Sequence, residues 1–213
     1  MSNIDDLRGR LRQELHDEDS SAYRWADALL DRHLTRAMRE LSFVWPDEQK
    51  TTLSTSEGSR DLSLATLTDL VRIEAVEYPA GQYPPAYVQF SSFAGTLTLL
   101  VDAVPGNAED VAVYWGKLHT LDGSGSTLPA VAEDVVLTGA AGYAAVELAS
   151  FATNRANVAG TAAVQQYRDW GEAQLRRFRA RLDELGQRAR VRSASLFRPA
   201  QDASSRDVVR FEV

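Results

Sequence analysis

The sequence contains no cysteine, so neither a disulfide framework nor a thiolate ligand or nucleophile is available to it. Histidine is almost as scarce. His16, His33 and His119 are the full set, and no two share a spacing that would bring both to one zinc or iron ion. No apolar run reaches the roughly 20 residues of a membrane-spanning helix. The opening MSNIDDLRGRLRQEL is charged and helical in pattern, without the apolar core of an export signal. The expected compartment is the cytosol, or an assembly built there.

Catalytic patterns are missing too. Gly123-Ser124-Gly125 is followed by no Gly-Lys-Ser/Thr and lies in no βαβ unit, so it reads as a flexible turn. There is no G-x-S-x-G elbow. His119, Ser124 and Asp122 can be drawn as a triad only on paper, because such residues meet in many loops by chance. Asp17-Glu18-Asp19 and Glu109-Asp110 lack the ligand order of a calcium loop and read as solvent-facing turns. No enzymatic activity, cofactor or metal is expected.

What is present is an ordinary globular composition, 44% hydrophobic and 25% charged over 213 residues. The net charge of −7 is unevenly spread. Leu41 to Gly160 carries 14 acidic residues against 5 basic, whereas Arg168 to Arg198 carries 9 arginines against 4 acids. Such a split suits either an electrostatically complementary neighbour or a nucleic-acid surface.

The chain is organised around LPAVAEDVVLTGAAGYAAVELASFATN, Leu128 to Asn154. Between Val135 and Ala149 only Thr138 and Glu147 are polar, so a helix here must be enclosed by other elements. Its glycines and alanines let neighbouring backbones come close, and packing must offset about 1 kcal/mol of lost propensity per glycine. Ile4, Leu7, Leu11 and Leu15 predict a first helix over Ile4–Asp17. A second runs from Arg24 to Pro46, with Asp27 as cap or first-turn acid, Trp25 packed at the entry and Pro46 as stop. From Gln49 to Leu121 the period changes from 3.6 to 2, predicting about five short strands separated by Pro and Gly. After the break RANVAG, Val164, Tyr167, Gly171, Leu175, Phe178, Leu182, Leu185 and Ala189 mark a last helix over Thr161–Arg192, packed antiparallel on the central one. Beyond Arg192 the helical period ends, leaving Leu196, Phe197, Val208, Val209 and Phe211 as isolated anchors.

The expected fold class is α+β: a bundle of about four helices with an inserted small antiparallel sheet or sandwich and an extended C-terminal tail. The expected domains are 1–48 with 122–192 for the bundle, 49–121 for the β insert and 193–213 for the tail.

Two stretches carry a resemblance. Trp25-Ala26-Asp27, Leu30, Leu34, Ala37, Glu40 and Trp45-Pro46 resemble the early helix of head–tail adaptor (connector, head-completion) proteins of tailed bacteriophages. Leu128-Pro129, Glu133-Asp134 and Gly139-Ala140-Ala141-Gly142-Tyr143-Ala144 are similar to the late Gly/Ala-rich helix of that family, which precedes a long charged helix. The smallest adaptors lack a long β region, so its role does not carry over. The resemblance implies a structural virion protein at the head–tail interface, assembled in the host cytoplasm. It implies a homo-oligomeric ring, usually of twelve subunits, between the portal protein and a stopper or tail-completion protein. DNA would pass through its lumen without sequence-specific binding, and no membrane is involved. It also gives the tail a role in docking the portal through Leu196, Phe197, Arg198, Val209 and Phe211. Arg176, Arg177, Arg181 and Arg188 are expected to make charge contacts between subunits. The alternative is a nucleic-acid-binding protein that uses this Arg-rich last helix; no sequence-reading module accompanies it.

Overall fold

The computed structural model describes residues 2–154 and 161–196, with side chains over 2–151 and 164–189. The expected tail positions Phe197, Arg198, Val209 and Phe211 lie outside the described residues. The chain divides into two compact units, one formed by Met1–Asp47 with Leu118–Ala189 and the other built on Glu48–Lys117.

The helical unit contains α1 (Ile4–Glu14), α2 (Asp27–Val44), α3 (Ala130–Asn154) and α4 (Thr161–Leu196). α1 starts at a capping box, in which Asp6 N–H donates to Asn3 Oδ1 and Asn3 N–H donates back to Asp6. Asp27 is the first helical residue of α2 rather than its cap; Ala26 occupies the cap position and makes no side-chain bond there. α2 ends where the chain approaches Pro46, because the residue before proline is pushed out of the helical region. Trp45 accordingly adopts φ −137° and ψ 81°. Trp25 is buried at the entry, and its indole N–H reaches Ala144 O at 3.3 Å. The core takes Leu7 and Leu11 from α1, Leu30, Leu34, Ala37 and Leu41 from α2, and Leu175, Phe178 and Leu182 from α4.

α3 is enclosed as its composition requires. Val135, Val136, Leu137, Ala140, Ala141, Tyr143, Ala144 and Ala145 are buried, and they lie on every side of the helix. The antiparallel packing on α4 depends on glycine. A Cβ on Gly139 would meet the Phe178 ring at 3.0 Å, and one on Gly142 would meet Leu175 at 2.8 Å and Gly171 O at 3.0 Å. One on Gly171 would meet Val146 at 2.9 Å and Ala145 at 3.0 Å.

Two sequence expectations change here. α4 continues to Leu196, so the first residues assigned to an extended tail are helical. No glycine or proline interrupts Arg192-Ser-Ala-Ser-Leu, and the first strong breaker is Pro199. Asp17, read as a solvent-facing turn residue, is buried. Its carboxylate accepts from Arg12 at 2.5 Å and from Arg24 N–H at 2.8 Å, closing the α1–α2 corner. Arg12 also donates to Asp27 at 2.6 Å and Trp25 O at 2.9 Å, and it lies over the Tyr23 ring.

The β unit holds seven strands rather than about five: β1 (Asp47–Ser54), β2 (Asp61–Ser63), β3 (Leu70–Glu77), β4 (Tyr87–Val88), β5 (Phe90–Phe93), β6 (Thr96–Leu99) and β7 (Asp110–Lys117). They form a four-stranded sheet in the order β1-β7-β3-β4 and a three-stranded sheet in the order β2-β6-β5. β3 and β7 pair antiparallel with Ile73 opposite Trp115 and Val76 opposite Val113, interrupted by two register shifts. Leu62, Leu97 and Leu99 from one sheet share a core with Val76, Val111, Val113 and Trp115 from the other. That inward alternation is the period of 2 seen in the sequence.

Candidate functional site

With α4 held on α3 through Gly142, Gly171 and Phe178, its opposite face is fixed outward. That face carries the expected contact arginines Arg176, Arg177, Arg181 and Arg188, all exposed. Three of them meet carboxylates of their own helix. Arg181 and Arg188 both donate to Glu184, the latter at 2.5 Å, and Arg176 lies 3.9 Å from Glu172. The two arginines hold the Glu184 carboxyl below its ordinary value, through the Arg181 hydrogen bond first. Pairs at this spacing on an exposed helix contribute little to stability, yet they reduce the charge offered outward. Among the described residues Arg177 pairs with no carboxylate.

A second set of arginines lies on α2. Arg32, Arg36 and Arg39 follow one another at steps of four and three, which places them on one face. With Thr35, Glu40 and Phe43 they line an open groove of about 440 Å³. Arg36 lies over the Tyr143 ring at 3.8 Å, and the Tyr143 hydroxyl donates to Glu40 at 2.6 Å. Burial, then that hydrogen bond, pushes the Tyr143 phenol up, while Arg36 and Arg179 act against the rise. Arg32 donates to Glu147, one of the two polar residues of α3's central run. His33 Nε2 lies 2.9 Å from the same carboxylate but makes no aligned hydrogen bond. Burial lowers the His33 pKa against the pull of Glu147, so the imidazole is neutral at pH 7.

A further cavity of about 380 Å³ lies at the other end of the helical unit, between the α1–α2 corner and the start of α4. Glu14, His16, Arg24, Gln166, Tyr167 and Trp170 line it. Burial, reinforced by Asp134, raises the Glu14 pKa. No nucleophile–base pair among the described residues faces this space.

The loop triad drawn from sequence does not assemble. Asp122 accepts from the Ser124 hydroxyl and from the N–H groups of Ser124 and Gly125, a closed local turn. His119 is buried and uses both ring nitrogens elsewhere: Nε2–H donates to Trp45 O at 3.0 Å, which leaves Nδ1 to accept from Thr127 Oγ1 at 3.0 Å. Its role is to tie the end of α2 to the loop leading into α3. No group of three metal-ligating side chains occurs among the described residues. No helix among them is long and apolar enough to cross a membrane.

Comparison with known proteins places the chain in a family. The profile of the SU10 adaptor protein family matches residues 2–199. The chain belongs to the SU10 adaptor protein family. The match bears out the resemblance to bacteriophage head–tail adaptors, and the family is one of structural virion components rather than enzymes. A chain in the neck of an empty GTA particle is a looser structural relative, at 16% identity and a TM-score of 0.27. That match covers 66% of this chain and 76% of the other. No curated protein matches the sequence.

For an SU10 adaptor-family chain the sites of interest are interfaces. Sequence reasoning singled out the α4 arginines, which are exposed. Leu196, assigned to the docking tail, is the last residue of α4. The α2 arginines were missed, although the Arg32–Arg36–Arg39–Phe43 spacing was readable: attention to net charge alone passed over a helix whose acids and arginines nearly balance.

Proposed function

We propose that this chain is the head–tail adaptor of a tailed bacteriophage, assembling as a ring of about twelve copies between the portal protein and a stopper or tail-completion protein. Membership of the SU10 adaptor protein family over residues 2–199 is the observation that carries this reading. In it, 1–48 and 122–192 form the ring framework and 49–121 the inserted β module. The end of α4 and the residues that follow it dock the portal through Leu196, Phe197, Arg198, Val209 and Phe211. DNA passes through the lumen without being read. A conduit should not grip its cargo, so some of the carboxylates of the β module are assigned to the lumen wall, where they repel phosphate.

Copy number and radial position in purified particles test this reading. Quantitative mass spectrometry should give about twelve copies per particle, and cryo-EM should place them as a ring below the portal. Absence from the particle would end the proposal; an arginine-lined lumen would end the conduit part alone. Truncation after Leu196 leaves α4 complete, so the protomer should keep its helical CD signal and cooperative melt while losing portal binding. Portal affinity equal to that of the full chain would remove the tail from the interface.

A further inference from the structure

The charge a neighbouring molecule meets differs from the charge counted along the chain. On α4, Arg176, Arg181 and Arg188 each meet a carboxylate of their own helix, Glu172 or Glu184. The α2 groove combines its arginines with an exposed aromatic ring. Arg39 is exposed and, among the described residues, pairs with no carboxylate. Arg32 and Arg36 reach Glu147 and Glu40, and Arg179 lies near enough to act on Tyr143. Four guanidinium groups against two carboxylates leave this face positive. Phe43 lies at its end, 58% exposed.

The β unit has the opposite sign. Residues 48–117 hold nine carboxylates and four cations, a balance of −5. One corner gathers three of those acids. Gly58 N–H donates to Pro105 O at 3.3 Å, Arg60 donates to Val101 O and Asp102 O, and Thr98 donates to Asp61. These bonds join Glu57–Asp61 to the 98–105 segment. Glu57, Asp61 and Asp102 are exposed around Arg60, beside Leu100 and Val104 at 55% and 51% exposure. An acidic corner with two bare aliphatic side chains thus matches a basic groove with one bare aromatic ring.

We propose that the α2 groove of one copy receives the Glu57–Asp61 and Leu100–Val104 corner of a second copy, a contact that rests on the ring reading given above. Phe43 against Leu100 and Val104 forms the dry centre, and the arginines and carboxylates orient it from the rim. Each copy offers two different surfaces, so the contact is head-to-tail and closes a ring when the rotation allows. Arg39, which pairs with no carboxylate among the described residues, gains a partner on assembly. Rim pairing of this kind is screened by salt, so association weakens as ionic strength rises.

The test is sedimentation of the full chain, alone and with its portal, as wild type and as two charge-reversed forms, R36E/R39E and D61R/D102R. Far-UV CD and melting confirm that each is folded. Each variant alone should associate at least about tenfold more weakly than wild type. An equimolar mixture should recover association, because acid then meets base at every junction. Phe43→Ser removes the apolar centre without changing charge and should weaken association as well, which keeps the test open if one reversal fails to fold. Rings that form equally well from either reversed variant alone, or a mixture that stays dissociated, would overturn this contact and leave the ring reading standing. Wild type that forms no oligomer, either alone or on the portal, would overturn both.

Discussion

The helical unit and the β unit both enclose an apolar core, but they are vulnerable in opposite ways. In the helical unit, α3 and α4 approach until backbone meets backbone: Gly142 and Gly171 each leave only about an atom's width to the other's carbonyl oxygen. In the β unit Gly58, Gly81 and Gly95 face open space, and closure of the loops falls to carboxylates. Glu77 is buried and accepts from Gly81 N–H at 2.9 Å and Tyr114 OH at 2.8 Å, with Lys50 Nζ at 3.5 Å. Glu109 accepts from Tyr78 OH and Gly106 N–H. Burial and then that bond to Glu109 push the Tyr78 phenol up to about 12. One unit is limited by volume and the other by the loss of acceptors.

Adding volume where the helices touch should have the largest effect. Gly142→Leu drives a side chain into Leu175 and the Gly171 carbonyl and is expected to cost about 3 kcal/mol or more, read as a fall in thermal midpoint. An unchanged melt would mean that α3 is not enclosed. Next comes removal of an acceptor in the β unit. Glu77→Ala strands the Gly81 and Tyr114 donors and is expected to cost about 1–3 kcal/mol in urea titrations. A neutral outcome would show that water satisfies those donors and that the contrast between the units is weaker than drawn.

Gly95→Ala isolates backbone conformation from volume. Ala94 and Gly95 form the two-residue turn between β5 and β6 at φ 47° and 77°, and nothing lies within 4 Å of the added Cβ. The expected cost is about 1 kcal/mol, from the left-handed conformation alone. A loss as large as that of Gly142→Leu would place hidden packing at this turn.

Titration should separate the units most gently. Burial lowers the pKa of His33 and of His119 below the ordinary 6.5. Below 6.5 the unfolded chain takes up protons that the folded chain refuses, so this stability is full above 6.5 and is lost as pH falls below it. Glu77 behaves in the same direction at lower pH. Burial opposes its ionisation, but Gly81, Tyr114 and Lys50 outweigh that and hold its pKa below 4.5, so its contribution is lost as pH falls through that range. The melting temperature should therefore begin to decline as pH falls below 6.5, and His119→Asn should flatten that limb. A decline that begins only near pH 4.5 would assign the acid sensitivity to carboxylates alone.

Much of this was legible in the residues because it is local. The small-residue run of α3 announced its own burial, and the 171–175–178–182 stripe of α4 named the face that covers it. The change of period at Gln49 located the β region, and Pro46 the end of α2. Strand number was underestimated because β4 and β5 are separated only by Gln89, so one alternating run holds two strands that join different sheets, and because β2 is only three residues long.

The sequence by itself determined that the chain would form an enclosed Gly/Ala-rich helix, an amphipathic partner for it and an inserted antiparallel region. Periodicity is set by the pitch of a helix or the pleat of a strand, and it is written within a few residues. Only the tertiary structure decided which charges are spoken for. Asp17 is buried with Arg12, Glu184 is shared by two arginines of α4, and Arg39 on α2 pairs with no carboxylate among the described residues. Ion pairing depends on distances of a few ångströms between side chains that sequence can place many residues apart. The same is true of strand order, which sets β1 beside β7 across the whole length of the insert.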